Sequence, residues 1–309
     1  MIAEKLYLQP KTTEEAVRMA HEHQGDCCFI AGGTDVIVNK FQGNESATCL
    51  IDLTGIEEMN HITRNDTHLK IGSLTSLDDL KNNIDIIQTF PFLVDAVEAA
   101  GSPVIRKTAT IGGNLLCENR CVFYNQSEWW REAVGYCLKC EGDICIATGG
   151  KKKCFSKFVS DMAIALISMN AYIEVVKYNN SNIIRLEDCY TGDGITPHTL
   201  NKTTLIKSIH IPTNEGFRSV FKKLRQRQSV DFTSLTTVVT VNKHGEIKIV
   251  LGGVDPKPIV VEGNVKNKQE LISQAIKKPR IIDNDVFSRE YRKEMIGVFL
   301  NRSFNELSL

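Results

Sequence analysis

Six of the ten cysteines in this 309-residue chain fall within 38 consecutive positions: Cys117, Cys121, Cys137, Cys140, Cys145 and Cys154. Thiolates at that density hold metal or carry electrons, since four of them can bind a tetrahedral zinc or an iron–sulfur cluster. The stretch contains no histidine, which argues against a mixed Cys/His zinc site within it. One Cys-x2-Cys pair is present, Cys137 with Cys140, without the second pair of a zinc ribbon. Cys121, Cys137, Cys145 and Cys154 are spread by gaps of 15, 7 and 8 residues, which suits a loop folded around a bulky cluster. Phe123, Tyr124, Trp129, Trp130 and Tyr136 lie between them and are expected to shield it, because water access and nearby hydrogen bonds set a cluster's potential. On spacing alone an iron–sulfur cluster, a zinc ion and a loop of inert thiols all stand. Cys27, Cys28, Cys49 and Cys189 sit in apolar or strand contexts and read as small buried hydrophobes.

The second chemical feature is a pair of glycine loops. Ala31-Gly32-Gly33-Thr34-Asp35 follows an apolar run, and Ile111-Gly112-Gly113-Asn114 follows Thr108-Ala109-Thr110. Bare backbone amides beside a polar side chain can cradle a pyrophosphate without basic residues. The same sequences also make ordinary turns that need positive φ. There is no GxGxxG after the first strand and no GxxxxGK[ST], so dinucleotide-fold and P-loop readings fail.

Positioning these residues requires a scaffold. Glu4–Gln9 reads as a strand, and Thr12 or Thr13 caps a helix running to about His23. Cys27–Ala31, Leu50–Leu53 and His68–Ile71 read as strands, with a helix starting at Ser76 or Leu77 and another over Pro91–Ala100. Asp161–Ala171 is expected to be a helix and Tyr172–Lys177 a strand, followed by a polar turn. Further strands are expected near 183–186, 204–211, 217–224, 235–242 and 246–251, with His244-Gly245 as a hairpin turn. In Asp285–Asn301 the residues Phe287, Tyr291, Met295 and Phe299 recur every fourth position and predict one apolar helix stripe. A domain boundary is expected near Lys177–Ser181, giving units 1–177 and 178–309.

Composition sets the outer limits. Thirty-seven Lys and Arg balance 37 Asp and Glu, so the net charge is zero and the basic excess of a nucleic-acid binder is absent. No apolar run nears the roughly 18 residues of a membrane span, and the first residues lack a signal-peptide pattern. A cytoplasmic location without membrane contact is therefore expected, where disulfides are rare and clustered cysteines serve metals or redox work.

Together these segments resemble a known family. Phe29-Ile30-Ala31-Gly32-Gly33-Thr34-Asp35-Val36 and Thr110-Ile111-Gly112-Gly113-Asn114-Leu115 are similar to the two flavin-binding loops of the FAD (medium) subunits of molybdenum hydroxylases, the xanthine and carbon monoxide dehydrogenases among them. Ser102-Pro103-Val104-Ile105-Arg106 resembles the segment before the second loop. Ser160-Asp161-Met162-Ala163-Ile164-Ala165-Leu166 resembles the family's Asp-x-x-Pro-Ala-Leu helix start, with Ile164 in place of the proline. Phe221-Lys222-Lys223-Leu224-Arg225-Gln226-Arg227 and Asp231 resemble its basic C-terminal strand. The inserted Arg120-Cys121-Val122-Phe123-Tyr124-Asn125-Gln126, with Ser127–Arg131 and Tyr136–Lys139, resembles the branch typified by 4-hydroxybenzoyl-CoA reductase, whose β subunit carries a 4Fe–4S cluster there.

The resemblance implies an α+β fold. A two-subdomain FAD-binding domain would carry a cluster insertion over 117–157, followed by a C-terminal three-stranded antiparallel sheet with helices. It implies that Phe29, Ile30, Ala31, Gly32, Gly33, Thr34, Asp35 and Val36 hold the FAD pyrophosphate. Ser102, Thr110, Ile111, Gly112, Gly113 and Asn114 would lie near ribityl and flavin, with Asp161 on cofactor hydroxyls and Lys223 near the isoalloxazine. Cys121, Cys137, Cys145 and Cys154 would ligate the 4Fe–4S cluster. It further implies that substrate chemistry sits elsewhere, on a molybdenum-cofactor large subunit with a 2Fe–2S small subunit, as a dimer of heterotrimers served by ferredoxin or another carrier. The electron-transfer role could run inward, for reductive dehydroxylation. It could also run outward, in a xanthine, aldehyde or N-heterocycle dehydrogenase. A zinc-stabilised interaction subunit without redox function is the reading from another class.

Overall fold

The computed structural model describes residues 6–23 and 25–309. Its first sheet is parallel, with β1 (Leu6–Leu8), β2 (Cys27–Ile30) and β3 (Cys49–Asp52) in the order β1-β3-β2. The strand expected over Glu4–Gln9 is thus confined to β1, and Glu4 and Lys5 lie outside the described residues. Parallel strands need crossovers, and the helix Thr13–Glu22 supplies the first. Thr12 caps it by accepting the Glu15 amide, and Ala16, Val17 and Ala20 form its buried face. A short helix, Val36–Phe41, follows β2 directly after the first glycine loop.

The second sheet is antiparallel. It contains β4 (Ile62–Arg64), β5 (His68–Gly72), β6 (Tyr172–Lys177), β7 (Asn180–Arg185) and β8 (Leu205–Pro212), in the order β4-β5-β8-β6-β7. The polar turn after Lys177 is a hairpin between paired strands of this sheet. β8 then returns to pair with both β5 and β6, so the chain up to Pro212 shares a sheet with β4. Beneath lies the helix Asp161–Ser168, buried on every side against the helix Pro91–Ala99 and the third sheet. A helix apolar all round belongs in a core.

The third sheet is an antiparallel meander of β9 (Arg218–Leu224), β10 (Leu235–Val241), β11 (Glu246–Gly252) and β12 (Ile259–Asn264). It has four strands where three were expected. The polar tail Glu262-Gly263-Asn264 hides the alternation of β12, although Ile259 and Val261 are buried. Helices Lys268–Lys277 and Arg289–Glu306 cover one face. The expected stripe on the last helix is displaced: Arg292, Ile296, Phe299, Leu300, Ser303 and Phe304 are buried, Tyr291 is exposed, and Phe287 precedes the helix. A repeat of four drifts around a helix of 3.6 residues per turn, so it cannot track one face for long.

Residues 117–157 leave and re-enter this framework at one place. The backbones of Arg120 and Lys157 exchange hydrogen bonds of 3.0 and 2.8 Å, closing the base of the insertion. Lys157 then pairs with the buried Asp285 and donates to the Thr233 carbonyl at 2.9 Å, tying that base to the C-terminal part. Among the described residues no helix is long and apolar enough to cross a membrane.

Candidate functional site

Missing side chains let neighbouring chain close up against both glycine loops. A Cβ on Gly32 would lie 1.7 Å from the Thr108 carbonyl oxygen, and one on Gly112 would lie 2.7 Å from the Ser73 Cβ. Gly33 adopts φ +68°, open to glycine at little cost. A cavity of about 290 Å³ is lined by Phe29, Ala31, Gly32, Gly33, Thr34, Asp35, Val36, Thr110, Gly112 and Gly113. Among the described residues no acceptor within the chain takes the amides of Gly32, Gly33, Thr34 or Asp35. These are free donors for an anion.

The second loop differs from the expectation of bare amides. Ile111 and Gly112 donate to the Thr75 and Ser73 carbonyls at 3.0 and 2.8 Å, and Gly113 donates to the Thr110 hydroxyl at 3.2 Å. Ile30, Ile111, Asn114, Ser102, Asp161 and Lys223 do not line the cavity. The Asn114 side-chain Oδ1 accepts from the Ser160 hydroxyl and the Met162 amide, and Ser102 caps the turn Pro103–Arg106. Asp161 pairs with Lys223 at 2.6 Å and accepts from Thr236 at 3.1 Å, so both charges are used inside the protein. That buried pair joins the central helix to β9.

The opposite wall of the cavity comes from residues that sequence reasoning missed: Glu45, Glu118, His198, Asn201, Lys202 and Thr204. Most lie in the loop before β8, more than 160 residues after the first glycine loop, and no local pattern links them to it. His198 presents a buried Nε2 that has no hydrogen-bond partner among the described residues. Burial holds its imidazole down at about 4, so the ring is neutral. Cys28 also lines this cavity, and burial pushes its thiol up to about 12.

A second, smaller cavity is lined by Cys121, Cys137, Cys145 and Cys154 together with Phe123, Tyr124, Lys139, Phe155 and Ser156. Cys117 and Cys140 do not line it, and Cys27, Cys49 and Cys189 are fully buried in the core. Phe123 and Tyr124 shield the thiols as expected. Trp129 is 75% exposed and Tyr136 40%, so neither they nor Trp130 cover the cavity. The helix Glu128–Val134 instead docks through Arg131, whose guanidinium donates to the Gln42 carbonyl and Asn44 beside the first glycine loop's helix. Among the described residues no three His, Cys, Asp or Glu side chains are grouped around a single ion position.

The sulfurs have hydrogen-bonding neighbours. The Ser156 amide donates to the Cys154 Sγ at 3.4 Å. The amides of Phe123 and Tyr124 favour the Cys121 thiolate, against burial that pushes it up to about 11. The neighbouring Cys140 thiol and the amides of Lys139 and Cys140 hold the Cys137 thiol below its usual range. Four thiols lining one cavity, three of them with such donors, are a chemically suitable set for a cluster, and the free amides with a buried neutral imidazole suit a nucleotide cofactor.

Two ion pairs tie the glycine cavity to the cysteine-rich segment. Asp35 pairs with Arg120 and accepts the Glu118 amide at 3.1 Å, and Glu118 pairs with Lys139 at 2.6 Å.

Residues 2–214 match the family described as the FAD binding domain in molybdopterin dehydrogenase. The chain is 30% identical over 266 residues to the aldehyde oxidoreductase FAD-binding subunit PaoB of Escherichia coli K12, covering 83% of each. It is 22% identical to the glyceraldehyde dehydrogenase medium chain of Sulfolobus acidocaldarius, covering 98% of each. The fold matches a chain of carbon monoxide dehydrogenase from Hydrogenophaga pseudoflava with a TM-score of 0.77 at 18% identity, covering 99% of this chain and 98% of that one.

Proposed function

Since the chain belongs to the family of FAD-binding domains in molybdopterin dehydrogenases, an oxidoreductase family, we propose that it is the subunit that carries electrons between a 4Fe–4S cluster and FAD in a molybdenum hydroxylase-type complex. The observation that carries this reading is the sharing of one cavity by Cys121, Cys137, Cys145 and Cys154, beside a second cavity rich in free amides. When bound, FAD supplies exchange of one or two electrons and so links two-electron chemistry to one-electron carriers. The chain's own residues do the holding. Gly32, Gly33, Thr34 and Asp35 offer amides to the diphosphate, His198 offers an uncharged ring nitrogen, and Ser156 and the 123–124 amides stabilise thiolates. Asp161 and Lys223, paired with each other outside the cavity lining, are assigned to the scaffold rather than to the cofactor.

In this reading the substrate is handled on a partner subunit holding the molybdenum cofactor, with 2Fe–2S centres on a third. The insertion motif favours a 4-hydroxybenzoyl-CoA reductase-like complex, with electrons running inward from ferredoxin. Similarity to the PaoB subunit over 83% of the chain favours a second reading, aldehyde oxidation with electrons running outward. The sheet pairing further supports placing the division between the two units after Pro212 rather than near Lys177.

The purified protein is tested first for flavin, iron and zinc per chain. Flavin absorbance with about four irons is expected by the cluster stoichiometry; zinc without iron or flavin overturns the redox reading. Cys154→Ser is expected to lose the cluster's spectroscopic signal, whereas Cys117→Ser keeps it. The assembled complex is then assayed with 4-hydroxybenzoyl-CoA plus a low-potential donor, and separately with aldehydes plus an acceptor. The productive direction selects between the two readings.

A further inference from the structure

The glycine cavity does not carry its own charge balance. Among the described residues three carboxylates line it, Asp35, Glu45 and Glu118, against one lysine, Lys202, which lies 3.5 Å from Glu45. The cations for the other two come from the cysteine-rich segment. Arg120, next to Cys121, pairs with Asp35, and Lys139, between Cys137 and Cys140, pairs with Glu118. Both cations are held firmly. The Arg120 guanidinium lies 4.5 Å from the Phe232 ring centre with its side chain 8% exposed. The Lys139 side chain is 5% exposed, lies 5.1 Å from the Tyr124 ring centre, donates to the Gly194 carbonyl and lines the cysteine cavity itself.

A diphosphate brings further negative charge into that cavity, and buried charges are poorly screened. With Arg120 and Lys139 in place the cavity is neutral, and its free amides decide the affinity. With the cysteine segment loose, two unpaired carboxylates face the incoming phosphates. Ligands held by Cys121 and Cys137 would fix the very turns that carry the two cations.

We propose that the cysteine-rich segment sets the affinity of the glycine cavity for its diphosphate cofactor through the Lys139–Glu118 and Arg120–Asp35 pairs, so that filling the cysteine cavity and binding FAD favour each other. The proposal rests on the functional reading above. Linkage makes the effect reciprocal, so bound FAD also strengthens retention of iron.

FAD affinity is measured on the full chain by quenching of flavin fluorescence, for wild type, Lys139→Gln, Glu118→Gln and the double variant, each iron-loaded and after chelation. Lys139→Gln is expected to weaken FAD binding at least tenfold, and adding Glu118→Gln to restore it to within threefold of wild type. Glu118→Gln alone leaves Lys139 without its carboxylate and is expected to bind FAD more tightly than wild type. Chelation is expected to weaken FAD binding several-fold in wild type and less in the double variant, where only the Arg120–Asp35 pair remains to be lost. Unchanged affinity in Lys139→Gln overturns the charge balance, as does a loss that the second substitution fails to rescue. Equal affinity in the iron-loaded and chelated wild type overturns the linkage. A wild type that binds FAD but takes up no iron on reconstitution overturns the cluster reading and the linkage with it, and the two glutamine variants still decide the charge balance. A wild type that binds no FAD overturns the functional reading itself.

Discussion

At the residue scale, His198 shows how a single buried ring can make the cofactor wall sensitive to acid. Burial holds its imidazole at about 4, against 6.5 for a free histidine. Between those values the unfolded chain binds a proton that the folded chain refuses, so stability falls as pH drops below 6.5. At pH 5 this costs about 2 kcal/mol by linkage. Urea unfolding of wild type and His198→Gln at pH 8 and pH 5 measures it. The substitution is expected to reduce the pH dependence by about 2 kcal/mol, and an unchanged dependence would place the titration elsewhere. Nothing near His198 in the sequence announces this role. It is one of seven histidines, set in the polar stretch Thr196-Pro197-His198-Thr199, and only folding brings it to the glycine loops. The cysteines are the opposite case. Their number and gaps single them out in the sequence, and the sequence-chosen Cys121, Cys137, Cys145 and Cys154 share one cavity. Spacing reports which thiols can converge but not which aromatic side chains turn inward, so Phe123 and Tyr124 shield them while Trp129 faces solvent.

At the scale of elements, the last helix separates pattern from packing. Its apolar residues suggest the series Tyr291, Met295, Phe299, yet Ile296 is fully buried while Tyr291 is 41% exposed. The side facing β9 and β10 also holds Arg292, 1% exposed, which donates to the Gly253 carbonyl at 3.0 Å and to the Ile282 carbonyl. A charged residue on the inner face hides the true stripe from any reading based on apolar spacing. Chemical unfolding distinguishes the faces: Ile296→Ala is expected to cost about 2–5 kcal/mol and Tyr291→Ala under about 1 kcal/mol. Comparable losses for both would mean that the helix packs on the expected stripe. The glycine loops follow the same rule. Their positions are plain in the sequence, but the second loop spends its amides on the Ser73 and Thr75 carbonyls, a contact made by chain nearly forty residues away. β12 is hidden in the sequence for a related reason, since half of it is polar and exposed although it pairs with β11 to its end.

At the scale of the whole molecule, the insertion and the framework are separate in sequence but interlocked in space. β4 and β5 precede the cysteine segment and β6, β7 and β8 follow it, yet all five form one sheet, and one core cluster runs from Leu69 to Val250. A division placed at a polar turn therefore falls inside a sheet, because turn composition marks a change of direction and not a change of partner. The insertion is joined to this framework at its base by the Arg120–Lys157 backbone pair and by Lys157 with Asp285, while Lys151, Lys152 and Lys153 stand exposed immediately before Cys154. If Cys145 and Cys154 bind a cluster, these lysines are held in a short loop between two ligands and resist trypsin, which needs a locally unfolded stretch. Removing iron with a chelator is then expected to open that loop and allow cleavage at Lys151–Lys153. The two fragments should still elute together in size-exclusion chromatography, since the five-stranded sheet draws strands from both. Cleavage at the same rate with and without iron would show that no cluster constrains the loop. Fragments that separate would show that the sheet does not hold the two parts of the chain together.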